Sequence, residues 1–239
     1  MKKEIRFGAA LVLSYLGLRR AVGFVALALP PVLLFGHYLL AKQDALPTMS
    51  DSYYTEVNVI FVGALCVIGA FLLSYHGYER GDRLASFISG AGAIGVALVP
   101  CGGHVMPAGG PALWGWGQGY SLGWLHFSFA AAHFAALAYF CLVLFTKSEG
   151  GKTRKKSQRN GVYYACGGVI VACLAIVAID KAFLHLLPDG GIFAAEAAMV
   201  LAFGLSWIVK GEAVGFLNDQ DEPGRKDAWL GEGPLESTL

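Results

Sequence analysis

The chain of 239 residues is 56% hydrophobic and 15% charged, with a mean hydropathy of +0.55, whereas roughly 25% of residues are charged in an average soluble domain. No Asp, Glu, Lys or Arg occurs in the 63 residues from Leu84 to Thr146, which excludes an ordinary soluble fold because every soluble helix needs a polar face. The formal net charge of +1 indicates no nucleic-acid partner, and five cysteines without a CxxC pair indicate no disulfide framework.

The first predicted element is a short N-terminal helix. Residues 7–18 are apolar, but the run is only 12 residues long between Arg6 and Arg19, a length typical of an interfacial or re-entrant helix. A signal peptide is the alternative, because a lysine-rich start precedes the run. Arg19 and Arg20 argue against it, since they follow where a small-residue cleavage site is expected.

Six later segments are apolar and long enough to cross about 30 Å of hydrocarbon as helices rising about 1.5 Å per residue. They lie at about 22–41, 57–76, 84–100, 125–146, 161–180 and 192–209. The predicted fold class is therefore all-α, an integral membrane bundle of six transmembrane helices with a short N-terminal interfacial helix. The predicted division is a cytoplasmic and interfacial segment, a transmembrane domain and a cytoplasmic tail, at residues 1–21, 22–210 and 211–239.

The basic residues predict how these spans are oriented. Of the 18 Lys and Arg residues, all but Lys42 and Lys181 fall on one side of the six-span arrangement. Basic residues are retained on the cytoplasmic side of a membrane. The distribution therefore predicts a multi-pass protein with both termini in the cytoplasm.

The third span contains the sequence GAGAIG at residues 90–95, which matches a dinucleotide-binding fingerprint. That fingerprint works only where a strand turns into a helix, and no strand is predicted before it. Ala85, Ser89, Ala93 and Ala97 recur every four residues. We therefore predict a stripe of small residues that lets another helix approach closely.

Polar residues at membrane depth are costly and are functional hypotheses by default. The six-span arrangement places a layer of them at the outer ends of the spans and in the outer loops: Asp51, Glu56, Asn58, His104, His126, Asp180, His185 and Glu196. Glu196 lies among small residues near the start of the last span. Its carboxyl group is either neutral and hydrogen-bonded to a neighbouring helix or paired with a cation or metal.

His126 and His133 are seven residues apart in an otherwise apolar stretch. On a helix they share one stripe but lie about 10.5 Å apart along the axis. Helical metal-ligand pairs typically use a spacing of three or four, so one metal ion should not hold both. His126 belongs to the outer layer, whereas His133 is either a structural imidazole bonded to a neighbouring helix or a deeper functional group.

An uncharged outer loop from Cys101 to Trp124 carries Trp114, Trp116 and many glycines. Aromatic residues of this kind are expected at headgroup depth. The loop is predicted to lie on the membrane surface or over the outer mouth of the bundle. Contact with a lipid or a partner is its functional interpretation.

Three functions remain open on the sequence. The favoured one is a non-enzymatic membrane protein that binds a lipid or small amphiphile or assists a membrane partner complex, with these binding candidates: Glu56, Asn58, His104, Trp114, Trp116, Trp124, His126, His133 and Glu196. The second is a metal-dependent hydrolase of a lipid ester or amide at the outer face, with His126, Glu196 and Asp51 as catalytic candidates. A possible divalent metal would use His104, His126, Asp51 and Glu196. The third is a proton-coupled transporter using His133 and Glu196.

The stretch YYTEVNVIFVGALCVIGAFLLSYHGYE, a third span that ends in GVALVP, and a histidine that opens the fourth span carry a resemblance to a known group. Over residues 50–146 the chain resembles bacterial multi-span membrane proteins of unknown function, distantly similar to the Frag, DRAM and Sfk class. The resemblance implies a six-helix bundle in the bacterial cytoplasmic membrane, lipid-linked or regulatory roles in some relatives, and no agreed catalytic residues. The long insertion between Pro100 and His126 departs from the shorter linker that the resemblance implies.

Overall fold

The computed structural model describes residues 2–42, 46–75, 80–101, 122–147 and 153–218, with side chains described from residue 16 onward except at residue 122. These residues form six α-helices and no strand, which confirms the all-α prediction. The helices are α1 Lys2–Ala41, α2 Asn58–Ser74, α3 Arg80–Leu98, α4 Leu122–Tyr139, α5 Arg154–Ile179 and α6 Gly191–Lys210. Two of them continue into π-helical turns, α4 over Phe140–Leu144 and α5 over Asp180–Leu184.

Helix α1 differs from the sequence-based division. It runs for 40 residues without a break, so the short N-terminal helix is not separate from the first span and the boundary after residue 21 falls inside a helix. Arginine is a good helix former, so Arg19 and Arg20 continue the helix. Their side chains also bind residues outside α1. Arg19 donates to the hydroxyl of Tyr75 at 3.0 Å, and Arg20 donates to the carbonyl of Gly211 at 2.7 Å.

Each helix packs against the next one in the chain, and α6 packs against α1, so the contacts close into a ring. Within the described residues, four helical stretches are long and apolar enough to cross a membrane: Leu16–Ala41, Gly123–Leu144, Arg154–Leu184 and Gly191–Lys210. Helix α2 is apolar but shorter, at 17 residues. These helices are compatible with an integral membrane protein.

Polarity is distributed in the way that a lipid environment favours. Large apolar side chains lie on the outside, with Leu39 70% exposed, Val59 81% and Phe183 80%. Polar side chains such as Ser89 and Ser206 lie fully inside. A soluble protein would expose the polar groups instead, whereas helices in a bilayer turn apolar groups outward and join through small or polar residues.

The small-residue stripe on α3 is confirmed, because its four residues are all buried: Ala85, Ser89, Ala93 and Ala97. The glycines of GAGAIG also serve packing. A Cβ atom on Gly92 would lie 2.9 Å from the carbonyl oxygen of Phe129, and one on Gly95 would lie 2.3 Å from the Phe129 ring. Only glycine lets α4 come this close to α3 at these two positions.

One end of the helix ring is closed by aromatic packing. The Trp207 side chain is fully buried, and five other rings lie with their centroids 5.0 to 5.9 Å from it. We call these six residues the aromatic cluster: Phe71, Tyr75, Phe140, Phe145, Phe203 and Trp207. Buried aromatic contacts of this kind contribute strongly to core packing.

Basic side chains surround the aromatic cluster and bind the chain's own carbonyl groups. Lys156 donates to the carbonyl of Phe145 at 2.8 Å, and Arg159 donates to that of Leu217 at 2.6 Å. Together with the bond from Arg20 to Gly211, these contacts fix the start of the C-terminal segment to the helices. We call the end of the helix ring that holds the aromatic cluster and these basic residues the basic end.

Candidate functional site

A cavity of about 500 Å³ lies at the opposite end of the helices, between α4, α5, α6 and residues 47–51. The residues of its polar mouth are Ser50, Asp51, Lys181, Asp189 and Glu196. One to two helical turns deeper, its wall is apolar, formed by Phe134, Leu174, Val177 and Met199. The cavity is thus amphipathic. We call the end of the helix ring that contains it the acidic end.

Residues 46–57 form a segment that crosses the acidic end and begins with a capping arrangement. The Asp51 backbone N–H donates to the Thr48 hydroxyl at 3.0 Å, and the Thr48 N–H donates to the Asp51 carboxylate at 3.1 Å. This reciprocal pair satisfies two backbone donors. It starts the 3₁₀ helix Ser50–Tyr54 and fixes Asp51 at the cavity mouth.

Glu196 holds this segment against α6. Its carboxyl group accepts a hydrogen bond from the backbone N–H of Met49 at 2.6 Å. One turn earlier on α6, the Phe193 N–H donates to the carbonyl of Pro47 at 3.2 Å. This bond and the neighbouring backbone bond anchor the segment, and Glu196 places its carboxyl group at the cavity.

Cys101 follows α3 and meets the same segment from the other side. Its thiol lies 3.6 Å from the Asp51 carboxylate, to which it donates. Burial, together with the negative charge of Asp51, raises the pKa of Cys101 to about 12. The thiol is therefore protonated at neutral pH, as a donor to Asp51 must be.

His126 is 1% exposed, and its two ring nitrogens have different partners. Nδ1 lies 2.6 Å from the carbonyl oxygen of Val99, and Nε2 lies 3.0 Å from the Ser50 hydroxyl. A carbonyl can only accept, so Nδ1 carries the proton. In the neutral ring, Nε2 then accepts the Ser50 hydroxyl proton. His126 and Glu196 thus meet through residues 49 and 50.

The described residues contain no group of three or more His, Cys, Asp or Glu side chains arranged to hold a metal ion. Both nitrogens of His126 already have hydrogen-bond partners, and so does the carboxylate of Glu196. His104, the other predicted histidine ligand, lies outside the described residues. The predicted divalent metal therefore stays a prediction.

His133 is buried and lies away from the cavity wall. Its Nδ1 is 2.8 Å from the carbonyl oxygen of Ser89 and 3.1 Å from the Ser89 hydroxyl. This is the arrangement of a structural imidazole bonded to a neighbouring helix. It ties α4 to α3 and does not bring His133 to Glu196 in one cavity.

Two predicted binding residues of the outer layer, Glu56 and Asn58, do not line the cavity. They contact residues near the end of the segment 46–57 that leads into α2. Glu56 lies 3.5 Å from Nδ1 of His37 on α1, and half of its side chain is exposed. The side-chain amide of Asn58 donates to the carbonyl of Tyr53. Both contacts hold the turn that leads from the 3₁₀ helix into α2.

The predicted aromatic contacts are described only in part. Trp124 lies in the first turn of α4 and is 64% exposed, which suits the membrane interface. Trp114 and Trp116 lie outside the described residues.

Ser50 and Lys181 line the cavity, but the sequence reasoning did not select them as site residues. The pattern T-x-x-D at residues 48–51 is a capping signal that could have identified a fixed turn around Ser50. Lys181 is one of two basic residues predicted on the carboxylate-rich side. A basic residue is rare on that side, and this rarity could have identified Lys181 as a candidate site residue.

No protein-family model, no curated protein and no solved structure matches the chain. The resemblance to the Frag, DRAM and Sfk class therefore stays a prediction. The volume and the lining residues of the cavity alone indicate which ligands it can bind.

Proposed function

We propose that the protein is an integral membrane protein that binds a small amphiphile in the cavity at the acidic end. The observation that carries this proposal is the division of the cavity into a polar mouth and an apolar wall. Its volume of about 500 Å³ lies within the range of small-molecule sites, roughly 300 to 1,000 Å³. The head of the amphiphile would meet the mouth, and its chain would follow Phe134 and Met199 inward.

The charges at the mouth favour an ammonium or zwitterionic head. Three acidic residues line the cavity, namely Asp51, Asp189 and Glu196, whereas Lys181 is its one basic residue among the described parts of the chain. Lys181 also lies over the ring of Phe127, 5.9 Å from the centroid. The excess of negative charge attracts a cation and repels an anionic head.

The proposal includes six membrane spans, with the cavity facing outward and both termini in the cytoplasm of a bacterial cell. Helices α2 and α3, of 17 and 19 residues, extend about 25 and 28 Å, close to the thickness of the hydrocarbon core. The basic end carries most of the described Lys and Arg residues, as a cytoplasmic face does.

Binding of dodecylammonium to the full chain in nanodiscs of neutral lipid tests the function, with dodecyl sulfate as the anionic comparison. We expect saturable binding of dodecylammonium and much weaker binding of the sulfate. Ala131→Trp fills the cavity from α4 and should abolish binding, whereas Ala135→Trp, one turn further along, should leave it unchanged because Ala135 does not line the cavity. Equal effects of the two substitutions, or no saturable binding to the wild type, would refute the proposal.

A further inference from the structure

Two buried histidines of α4 contact serines on other elements, and the two pairs differ chemically. In the Ser89/His133 pair, the same nitrogen faces both the carbonyl and the hydroxyl of Ser89. That nitrogen carries a proton for the carbonyl, so it cannot take one from the hydroxyl. In the Ser50/His126 pair, the carbonyl of Val99 holds the proton of Nδ1, and Nε2 is free to accept the proton of Ser50.

The position of the two pairs also differs. Ser50 lines the cavity, whereas neither Ser89 nor His133 does. The Ser50 side chain is mostly covered, so the cavity is the route by which a small molecule reaches its hydroxyl. A hydroxyl within 3.0 Å of an oriented imidazole is the arrangement of an activated serine nucleophile.

We propose that Ser50 and His126 form a nucleophile and general base that cleave a carboxylic ester of an amphiphile bound in the cavity. The inference rests on the proposed binding function and adds a reaction to it. The backbone carbonyl of Val99 fixes the tautomer and ring orientation of His126, a role that a carboxylate fills in many serine hydrolases.

The reaction balances with water as the second reactant. Ser50 Oγ forms a bond to the ester carbonyl carbon while its proton moves to Nε2 of His126. The bond from that carbon to the alcohol oxygen then breaks, and the alcohol leaves with the proton from Nε2. Water attacks the acyl group on Ser50 and gives a proton to Nε2, which returns it to Ser50 Oγ as the carboxylic acid departs.

Negative charge develops on the carbonyl oxygen during both steps. Lys181 is the basic residue that the described cavity offers to this charge. Its ammonium group lies 5.9 Å from the centroid of the Phe127 ring, which also lines the cavity. Positive charge placed where negative charge develops lowers the barrier for acyl transfer.

A fluorophosphonate with a long alkyl chain and an alkyne reporter tests the nucleophile directly, because attack by an activated serine displaces fluoride and leaves a stable phosphonyl adduct. The full chain in nanodiscs is treated with this probe, and the modified residue is mapped by mass spectrometry. We expect the adduct on Ser50. His126→Gln should slow labelling by at least about 100-fold, the loss typical of a missing general base.

Matched variants separate this role from packing. His133→Gln removes the other buried histidine of α4, and Ser128→Ala removes an exposed serine of the same helix; neither should change the labelling rate. An adduct on another serine, or equal loss with His126→Gln and His133→Gln, would overturn the inference.

Binding of dodecylammonium is measured on the same preparations. If the wild type binds dodecylammonium but gives no adduct with the probe, the catalytic inference fails and the binding function stands. If binding is absent, the binding function itself fails. Because the mapping uses the unmodified wild type, the test does not depend on whether Ser50→Ala folds.

Discussion

The two ends of the helix ring are built on opposite principles. At the basic end, five aromatic rings pack around Trp207, and cationic side chains donate to backbone carbonyls of Phe145 and Leu217. At the acidic end, the chain crosses the helices through the segment 46–57 and leaves a cavity of about 500 Å³ beneath it. Among the described residues, side chains fill the basic end, whereas those at the acidic end leave room for a ligand.

This contrast shows how the same helices combine stability with an open site. The hydrogen bonds at the acidic end fix a polar segment by a few contacts, chiefly through Glu196 and His126. A hydrogen bond contributes about 0.5 to 1.5 kcal/mol to stability between neutral groups and about 1.5 to 3 kcal/mol when one partner is charged. We therefore expect substitutions at the basic end to affect folding and those at the acidic end to affect binding.

Trp207→Ala should have the largest effect on stability. It empties the centre of the aromatic cluster, and truncation of a buried aromatic side chain typically costs about 3 to 5 kcal/mol. Thermal unfolding in detergent should show a large drop in Tm. Leu205→Ala, two residues away on the outer face of α6 and 44% exposed, is the control and should change Tm little. Similar losses of Tm from both substitutions would show that Trp207 is not the centre of a packed core at this end.

Gly95→Ala should cost about 1 to 3 kcal/mol by overpacking, because the new Cβ would lie 2.3 Å from the Phe129 ring. Gly63→Ala is the matched control, since nothing lies within 4 Å of a Cβ there, and it should be neutral or slightly stabilising as alanine favours a helix. The difference in Tm between the two variants measures how tightly α3 and α4 pack. Equal Tm values would argue against the small-residue interface.

Glu196→Gln should weaken dodecylammonium binding about tenfold, or about 1.4 kcal/mol, because it removes a carboxyl group that can pair with the ammonium head at the cavity mouth. The amide oxygen can still accept the Met49 N–H, so Tm should fall only slightly. Glu56→Gln removes an acidic residue from the same end but outside the cavity, and binding should be unchanged. A loss of affinity shared by both variants would assign the effect to general charge.

Cys101 offers a smaller test of the same end. With the pKa of Cys101 raised to about 12, the thiol is almost entirely protonated at pH 8, and the thiolate is the reactive form. In a variant that keeps Cys101 as its only cysteine, maleimide should react slowly until detergent unfolds the protein. Equally fast labelling before and after unfolding would show that Cys101 is not buried against Asp51.

The helices were predictable where charged or turn residues end them. The last span was predicted at 192–209 and α6 covers Gly191–Lys210, because glycines precede it and a lysine closes it. The start of α1 was missed, since Arg19 and Arg20 were interpreted as the end of a short segment. In the structure, both continue the helix and bond to distant residues.

The sequence predicted at which end of the helices the candidate site lies, but not which residues contact one another there. Counting depth along the spans put Asp51, His126 and Glu196 at one end, where the structure has them. The bond from Ser50 to His126 joins residues 76 positions apart, and it depends on how the segment 46–57 folds across the helices. Single-sequence patterns do not encode that path, although the T-x-x-D signal marks where it turns.

Cysteine labelling in right-side-out vesicles tests the central claim most directly, namely that an amphiphile occupies the open end on the outer face. In a cysteine-free background, Lys181→Cys places a thiol at the cavity mouth, and Lys147→Cys places one at the basic end. We predict that an impermeant maleimide labels position 181 at once, that dodecylammonium protects it, and that position 147 reacts only after permeabilisation. Labelling of both positions from the same side, or of position 181 without protection by dodecylammonium, would contradict the account.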